Sequence, residues 1–144
     1  MPALTRRKDP DRPDRWVVYF GDISVGSIGR CAGVPVQVDQ WEWGCGLATV
    51  SGRGVSADGT AACFDDARDA FGVAWAKLEP LIKPEDYDAH RRQRAWTAWK
   101  YAMHDARLPL PTQLTSGRSK CFCGAGIDIA GVVSHVAAVH PEMR

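Results

Sequence analysis

The sequence has no hydrophobic run long enough for a membrane-spanning helix. Such a helix takes roughly 18 apolar residues in succession, and nothing comparable occurs in these 144 residues. The opening stretch, MPALTRRKDPDRPDR, also lacks the apolar core of a secretion signal. These absences predict a cytoplasmic protein with no membrane partner. In that compartment the five cysteines are expected as thiols or metal ligands, because disulfides do not persist there.

Sequence signatures of catalysis are missing as well. No Gly-x-Ser-x-Gly elbow, P-loop or dinucleotide fingerprint occurs. His90 and His104 are the histidines outside the C-terminal tail, and a helix would separate them by about 21 Å. Asp65 and Asp66 are explained by the preference for acidic residues in the first turn of a helix. We therefore expect a binding protein, neither an enzyme nor a receptor for a small-molecule substrate.

Negative charge is scarce between residues 91 and 120. The chain has a formal net charge of +1, but this segment holds seven cations against Asp105 alone. The cations are Arg91, Arg92, Arg94, Lys100, Arg107, Arg118 and Lys120. Their segregation predicts an anionic partner, such as the phosphates of nucleic acid, or docking onto the acidic remainder of the chain. A solvated helix face is the alternative for the arginines.

The N-terminal half alternates strand patterns with turn residues. Residues 1–14 combine charges and three prolines with few apolar side chains, which predicts a disordered arm. Strands are predicted at RWVVYF, ISVGSIGRC and QWEWGCGL, the first two joined by a tight turn at Gly21 and Asp22. SGRGVSADGT, which follows them, is predicted as a loop without periodicity.

A helical pattern completes this half of the chain. In FDDARDAFGVAWAKL the apolar residues recur at helical spacing, and the helix should end before Pro80. Because a three-stranded sheet alone is marginally stable, the helix should cover one of its faces. We predict an α+β fold with a three-stranded antiparallel sheet packed by a helix over residues 15–79. The expected core consists of Trp16, Phe20, Trp41, Trp43, Phe71 and Trp75.

A second, basic helix is predicted within residues 80–107, starting at Pro84. Trp96, Trp99 and Met103 fall along one side and are expected in the core, although a tryptophan could instead stack on a base. Prolines and Ser/Thr/Gly residues then predict a linker at 108–119.

The C-terminal residues 120–144 contain a metal-ligand pattern. Cys121 and Cys123 flank one residue, eleven residues precede His135, and four separate His135 from His140. The pattern resembles the Cys₂His₂ zinc finger, which implies a structural Zn²⁺ held by these four side chains. Such ions contribute roughly 10–16 kcal/mol to folding. The single residue between the cysteines is shorter than that family uses, and the alternative is an apolar helix with incidental histidines.

The predicted finger helix has few residues suited to contact bases. In zinc fingers that bind DNA, three helix positions ahead of the first histidine contact bases. The corresponding residues here are Asp128, Gly131 and Ser134, whereas the usual base contacts are made by Arg, Lys, Asn or Gln. Its apolar residues exceed what a small finger needs, which predicts docking on the rest of the chain or on a partner. The candidate partner-binding residues are Val132, Val136 and Val139.

Four stretches along most of the chain carry a second resemblance, to a group of proteins. WEW, FDDARDAFGVAW, RAWTAWKYAM and the Cys-x-Cys-Gly tail together resemble a group of small uncharacterised bacterial proteins over residues 15–144, which implies a shared architecture and no activity. The strand–strand–strand–helix order also resembles plant ethylene-response DNA-binding domains and HicB-type antitoxins. Two functions follow as hypotheses: a nucleic-acid-associated protein with a basic helix, or a protein-interaction adaptor or inhibitor of phage or mobile-element origin.

Overall fold

A computed structural model describes residues 3–47, 54–114 and 116–143 of the chain. The chain divides into two compact units, Met1–Tyr87 and Asp88–Arg144. The predicted α+β class is confirmed. Within the described residues, no helix is both long and apolar enough to span a bilayer.

The first unit contains a five-stranded antiparallel sheet, where the sequence predicted three strands. The strands follow one another in chain order. They are β1 (Leu4–Lys8), β2 (Arg15–Phe20), β3 (Ile23–Arg30), β4 (Trp41–Gly46) and β5 (Ser56–Ala61). The predicted strands correspond to β2, β3 and β4, and the two additional strands form the edges of the sheet.

The edge strand β1 lies in the segment predicted to be disordered, so that prediction is wrong for residues 4–8. The guanidinium of Arg6 lies 5.3 Å from the Trp16 ring centroid and 5.0 Å from that of Phe64. Arg7 lies 5.0 Å from the ring of Tyr19 on the opposite face. The arginines that indicated disorder thus pack on aromatic rings while their backbone pairs with β2.

The other edge strand, β5, replaces part of the predicted loop; residues 51–53 of that loop lie outside the described residues. Gly59 pairs with Trp43, and a Cβ at Gly59 would lie 3.0 Å from the Trp43 ring. The glycine in β5 therefore makes room for the large Trp43 ring. Glycine more often indicates a turn, which is why the sequence predicted a loop here.

Helix α1 (Phe64–Leu78) covers one face of the sheet, as predicted, and a short 3₁₀ turn (Glu79–Leu81) follows it. Phe71 and Trp75 are buried, which confirms their place in the core. The other four predicted aromatic residues are only partly buried. Small aliphatic residues of the strands fill the centre of this core instead, among them Val18, Ile23, Val25 and Ile28.

Helix α2 (Pro84–Asp105) starts at the predicted proline, and its buried residues in the second unit are Ala95, Trp99 and Met103. Beyond it, Arg107 adopts a left-handed conformation with φ of 58°. The Arg107 amide donates to the His104 carbonyl at 2.9 Å, and the Leu108 amide donates to Met103 at 3.0 Å. This is a Schellman motif, in which glycine is the usual residue at the left-handed position.

The second unit continues with a small hairpin and helix α3 (Val132–Val139). The hairpin consists of β6 (Ser119–Lys120) and β7 (Gly126–Ile127). The core of the second unit is formed by α2, the hairpin and α3. The predicted linker contributes Leu108 and Leu110 to this core. The buried members are Trp99, Met103, Cys121, Ile127, Val132 and Val136. The C-terminal tail therefore shares one core with α2.

Candidate metal centre

Two local structures bring the cysteines and histidines of the tail together. The first is the turn between β6 and β7, where the Gly124 amide donates to the Cys121 carbonyl at 2.9 Å. The Cys121 amide donates to the Ala125 carbonyl at 2.8 Å. Gly124 has φ of 94°, a conformation that strongly favours glycine. The Cys-x-Cys-Gly sequence therefore forms a tight knuckle with both sulfurs on it.

Helix α3 supplies the histidines. The Asp128 side chain accepts a hydrogen bond from the Gly131 amide at 2.7 Å, which stabilises the turn leading into the helix. His135 lies within α3, whereas His140 follows its last residue with non-helical φ and ψ of −125° and 43°. On an ideal helix these two imidazoles would point about 140° apart. The departure at His140 brings the two rings to 5.1 Å.

The four ligand atoms lie close enough together to bind one ion. Cys121 Sγ lies 3.3 Å from His140 Nε2, and Cys123 Sγ lies 3.5 Å from His135 Nε2. All four ligand atoms lie within 4.8 Å of one another. An ion with metal–sulfur bonds of about 2.3 Å and metal–nitrogen bonds of about 2.1 Å would separate S and N by about 3.5 Å. The cluster can therefore hold a metal ion.

The cluster lies at the edge of the second core. Cys121 is buried, His135 and His140 are partly exposed, and Cys123 is exposed. Partial burial and the charge of neighbouring His135 lower the pKa of His140. A lowered pKa favours the neutral imidazole, which is the form that binds a metal.

A buried tryptophan on α2 contacts the cluster. The indole Nε1–H of Trp99 donates a hydrogen bond to Cys121 Sγ at 3.3 Å, and Trp99 is fully buried. A donor beside a thiolate ligand stabilises its negative charge and orients the sulfur. Sequence analysis missed this role because Trp99 lies 22 residues before Cys121 and its spacing indicated only a core position.

The predicted core position is confirmed for Trp99, and Trp96 is partly buried against the same core. Trp96 and Trp99 stack on each other with centroids 5.3 Å apart and an interplanar angle of 23°. The Nζ atom of Lys100 lies 5.8 Å from the centroid of Trp96. Each indole therefore has one face covered by the other, and Trp99 is too deeply buried to stack on a base of a ligand.

The predicted phosphate-binding cations differ in exposure. Arg91 pairs with Asp88 at 3.3 Å, and Arg94 and Lys100 are partly buried. Four cations are exposed: Arg92, Arg107, Arg118 and Lys120. Their binding to nucleic acid stays a prediction.

Two of the three valines predicted to bind a partner are buried. Val132 and Val136 belong to the core with Trp99 and Met103, so that prediction needs correcting. Val139 is 54% exposed, and the neighbouring Val133 is 63% exposed. Val132 and Val136 are four residues apart and share one face of α3, whereas Val133 lies on another. The packing of α3 decides which of these faces is buried.

The other cysteines lie in the first unit, and all five cysteines of the chain are free thiols. Burial raises the pKa of Cys45 to about 11, which makes this thiol a weak nucleophile near neutral pH. Cys63 is exposed, and Cys31 is partly exposed.

Comparisons with protein-family models, curated proteins and solved structures find no match for this chain. The resemblance to small bacterial proteins therefore stays a prediction, and the cluster is interpreted from its own geometry.

Replacing Trp99 by Phe should weaken metal binding about 10- to 100-fold, because the Cys121 sulfur loses its hydrogen-bond donor. Affinity is measured by competition with a chelator, with Co²⁺ absorption as a second readout. Trp96→Phe is the matched control, since Trp96 stacks on Trp99. Equal affinities for the two variants would show that the indole donor does not support the metal site.

Proposed function

We propose that this chain is a non-enzymatic binding protein whose second unit contains a structural zinc ion and binds nucleic acid. The cations of residues 91–120 would contact phosphates without strong preference for sequence. The observation that carries the proposal is the position of exposed cations beside a ligand cluster. Lys120 immediately precedes Cys121, Arg118 lies three residues before it, and both are exposed.

Zinc is the metal that best suits the ligand set. Two sulfurs and two imidazole nitrogens that lie within 4.8 Å of one another are the kinds of donor that Zn²⁺ prefers. A single unit smaller than about 70–80 residues seldom has a core sufficient for stability, and a bound metal compensates for this. Four protein ligands leave no position for an activated water, which supports a structural role.

The proposed contact with nucleic acid is electrostatic. Each phosphate neutralised by a lysine or arginine releases condensed counterions, so affinity falls as salt rises. The positions in α3 that contact bases in zinc fingers are Asp128, Gly131 and Ser134. These residues do not make the usual bidentate contacts with bases, which supports binding to the backbone without selection among sequences.

Purified protein is expected to contain about one zinc ion per chain. The double change Cys121→Ser and Cys123→Ser should abolish this content, whereas Cys63→Ser, a change at an exposed cysteine outside the cluster, should retain it. Chelation should reduce the protection of the second unit's amides against hydrogen exchange, because the unit would open more readily without the ion. Full zinc content in the double variant would exclude this site.

Binding to duplex and single-stranded oligonucleotides should weaken steeply with salt. The triple change Arg92→Ala, Arg118→Ala and Lys120→Ala should reduce the slope of log K against log salt by about 2 to 3. The control carries three changes at exposed cations of the first unit: Arg12→Ala, Lys77→Ala and Lys83→Ala. Absence of binding even at low salt, or equal slopes for the two variants, would contradict the proposal.

A groove between α2 and α3 favours protein interaction as the second candidate function. Its volume is about 570 Å³, and Trp96, Val136 and Ala137 are among its lining residues. Val133 adds an exposed apolar side chain. The charged lining residues balance one another: Arg91 and Arg92 stand against Asp88 and Glu142. An apolar groove of this kind suits the apolar face of an amphipathic helix of a partner.

Filling the groove separates the two candidates. Ala137→Trp should abolish co-purification of a specific host protein, because the indole would occupy the space that the partner helix needs. Val139→Trp, on an exposed residue of the same helix, is the control. The measurement is quantitative mass spectrometry after affinity capture. If recovery of every captured protein is the same for both variants, the groove does not bind a partner.

A further inference from the structure

Tyr101 is an exposed aromatic residue that the core of the second unit does not use. Its relative exposure is 68%, whereas Trp99, two residues earlier on α2, is fully buried. Because successive helix residues are separated by 100°, Tyr101 projects about 160° away from Trp99. The ring therefore points away from the core that holds the metal ligands.

The surroundings of Tyr101 are polar. It lines a shallow depression of about 370 Å³ together with Thr97, Lys100 and His104. Thr97 and His104 lie one helical turn from Tyr101 on the same face of α2, as does the exposed Asp105, whereas Lys100 is the adjacent residue. The depression therefore offers a ligand one flat ring with a lysine beside it.

The other aromatic rings on α2 are already in contact with one another or with the sheet. Trp96 and Trp99 are stacked together, and Tyr87 lies 6.1 Å from the ring of Phe20. Tyr101 is thus the aromatic residue of α2 that lies on its exposed face. With 68% of its surface exposed, this tyrosine is accessible to a ligand, which base stacking requires.

We propose that Tyr101 stacks on an unpaired base of single-stranded nucleic acid while Lys100 neutralises an adjacent phosphate. The proposal rests on the function proposed above and specifies its ligand. A base in a duplex is stacked on both faces and cannot accept a ring from the outside of a helix, whereas a base in a single strand can. Stacking of this kind tolerates any base, in agreement with binding that is not sequence-specific.

The test uses the full-length protein and two fluorescent strands of about 12 nucleotides, oligo(dT) and an abasic sugar–phosphate strand of equal length. Tyr101→Ala should weaken binding to oligo(dT) about 5- to 100-fold and leave binding to the abasic strand unchanged. Tyr101→Phe keeps the ring and should bind like the original protein. Val139→Ala, a truncation at another exposed residue, is the control for unspecific effects.

The outcomes distinguish this inference from the function on which it rests. If both strands bind with steep salt dependence but Tyr101→Ala matches the original protein, Tyr101 does not stack and the phosphate contacts remain. If Tyr101→Ala weakens binding to both strands equally, the ring does not recognise bases. If neither strand binds at low salt, nucleic-acid binding itself is wrong. Thermal melts of each variant confirm that it is folded.

Discussion

The second unit depends on the convergence of two sulfurs and two imidazoles on one point. The knuckle between β6 and β7 and the end of α3 are separate pieces of backbone, and each contributes two ligands. Neither piece has many internal hydrogen bonds: the hairpin strands have two residues each, and α3 has eight. An ion bound at all four ligands would fix the knuckle relative to the helix. The apolar residues between them can then pack against α2.

The bond between Trp99 and Cys121 connects this cluster to α2. A thiolate buried without a donor would be costly, because its charge would have lost its water without replacement. The indole N–H replaces one of those interactions and places α2 beside the knuckle. As a result, helix α2 with Lys100 and Tyr101, and the hairpin with Lys120 and the preceding Arg118, belong to one core. In the proposed function, the metal would therefore hold the binding residues in place and take no part in chemistry.

The sequence predicted best what short-range chemistry determines. The four candidate ligands lie within twenty residues, and both the glycine in the knuckle and the aspartate before α3 are local signals. The predictions from sequence were wrong where contacts between residues far apart in the chain determine the structure. β1 forms because Arg6 finds the rings of Trp16 and Phe64, and β5 accommodates a glycine because Trp43 covers it. Which valines of α3 are buried depends on packing with α2, which the periodicity of an eight-residue helix does not determine.

Arg107 shows how charge and stability compete in this unit. A left-handed residue other than glycine costs about 1–2 kcal/mol, and glycine at this position of a Schellman motif would remove that cost. The hydrogen bonds of the motif and the packing of Leu108 in the core offset the strain. The structure thus retains a less stable residue at the end of α2, and what that residue adds is an exposed positive charge. In the proposed function, contact with phosphates would use this charge.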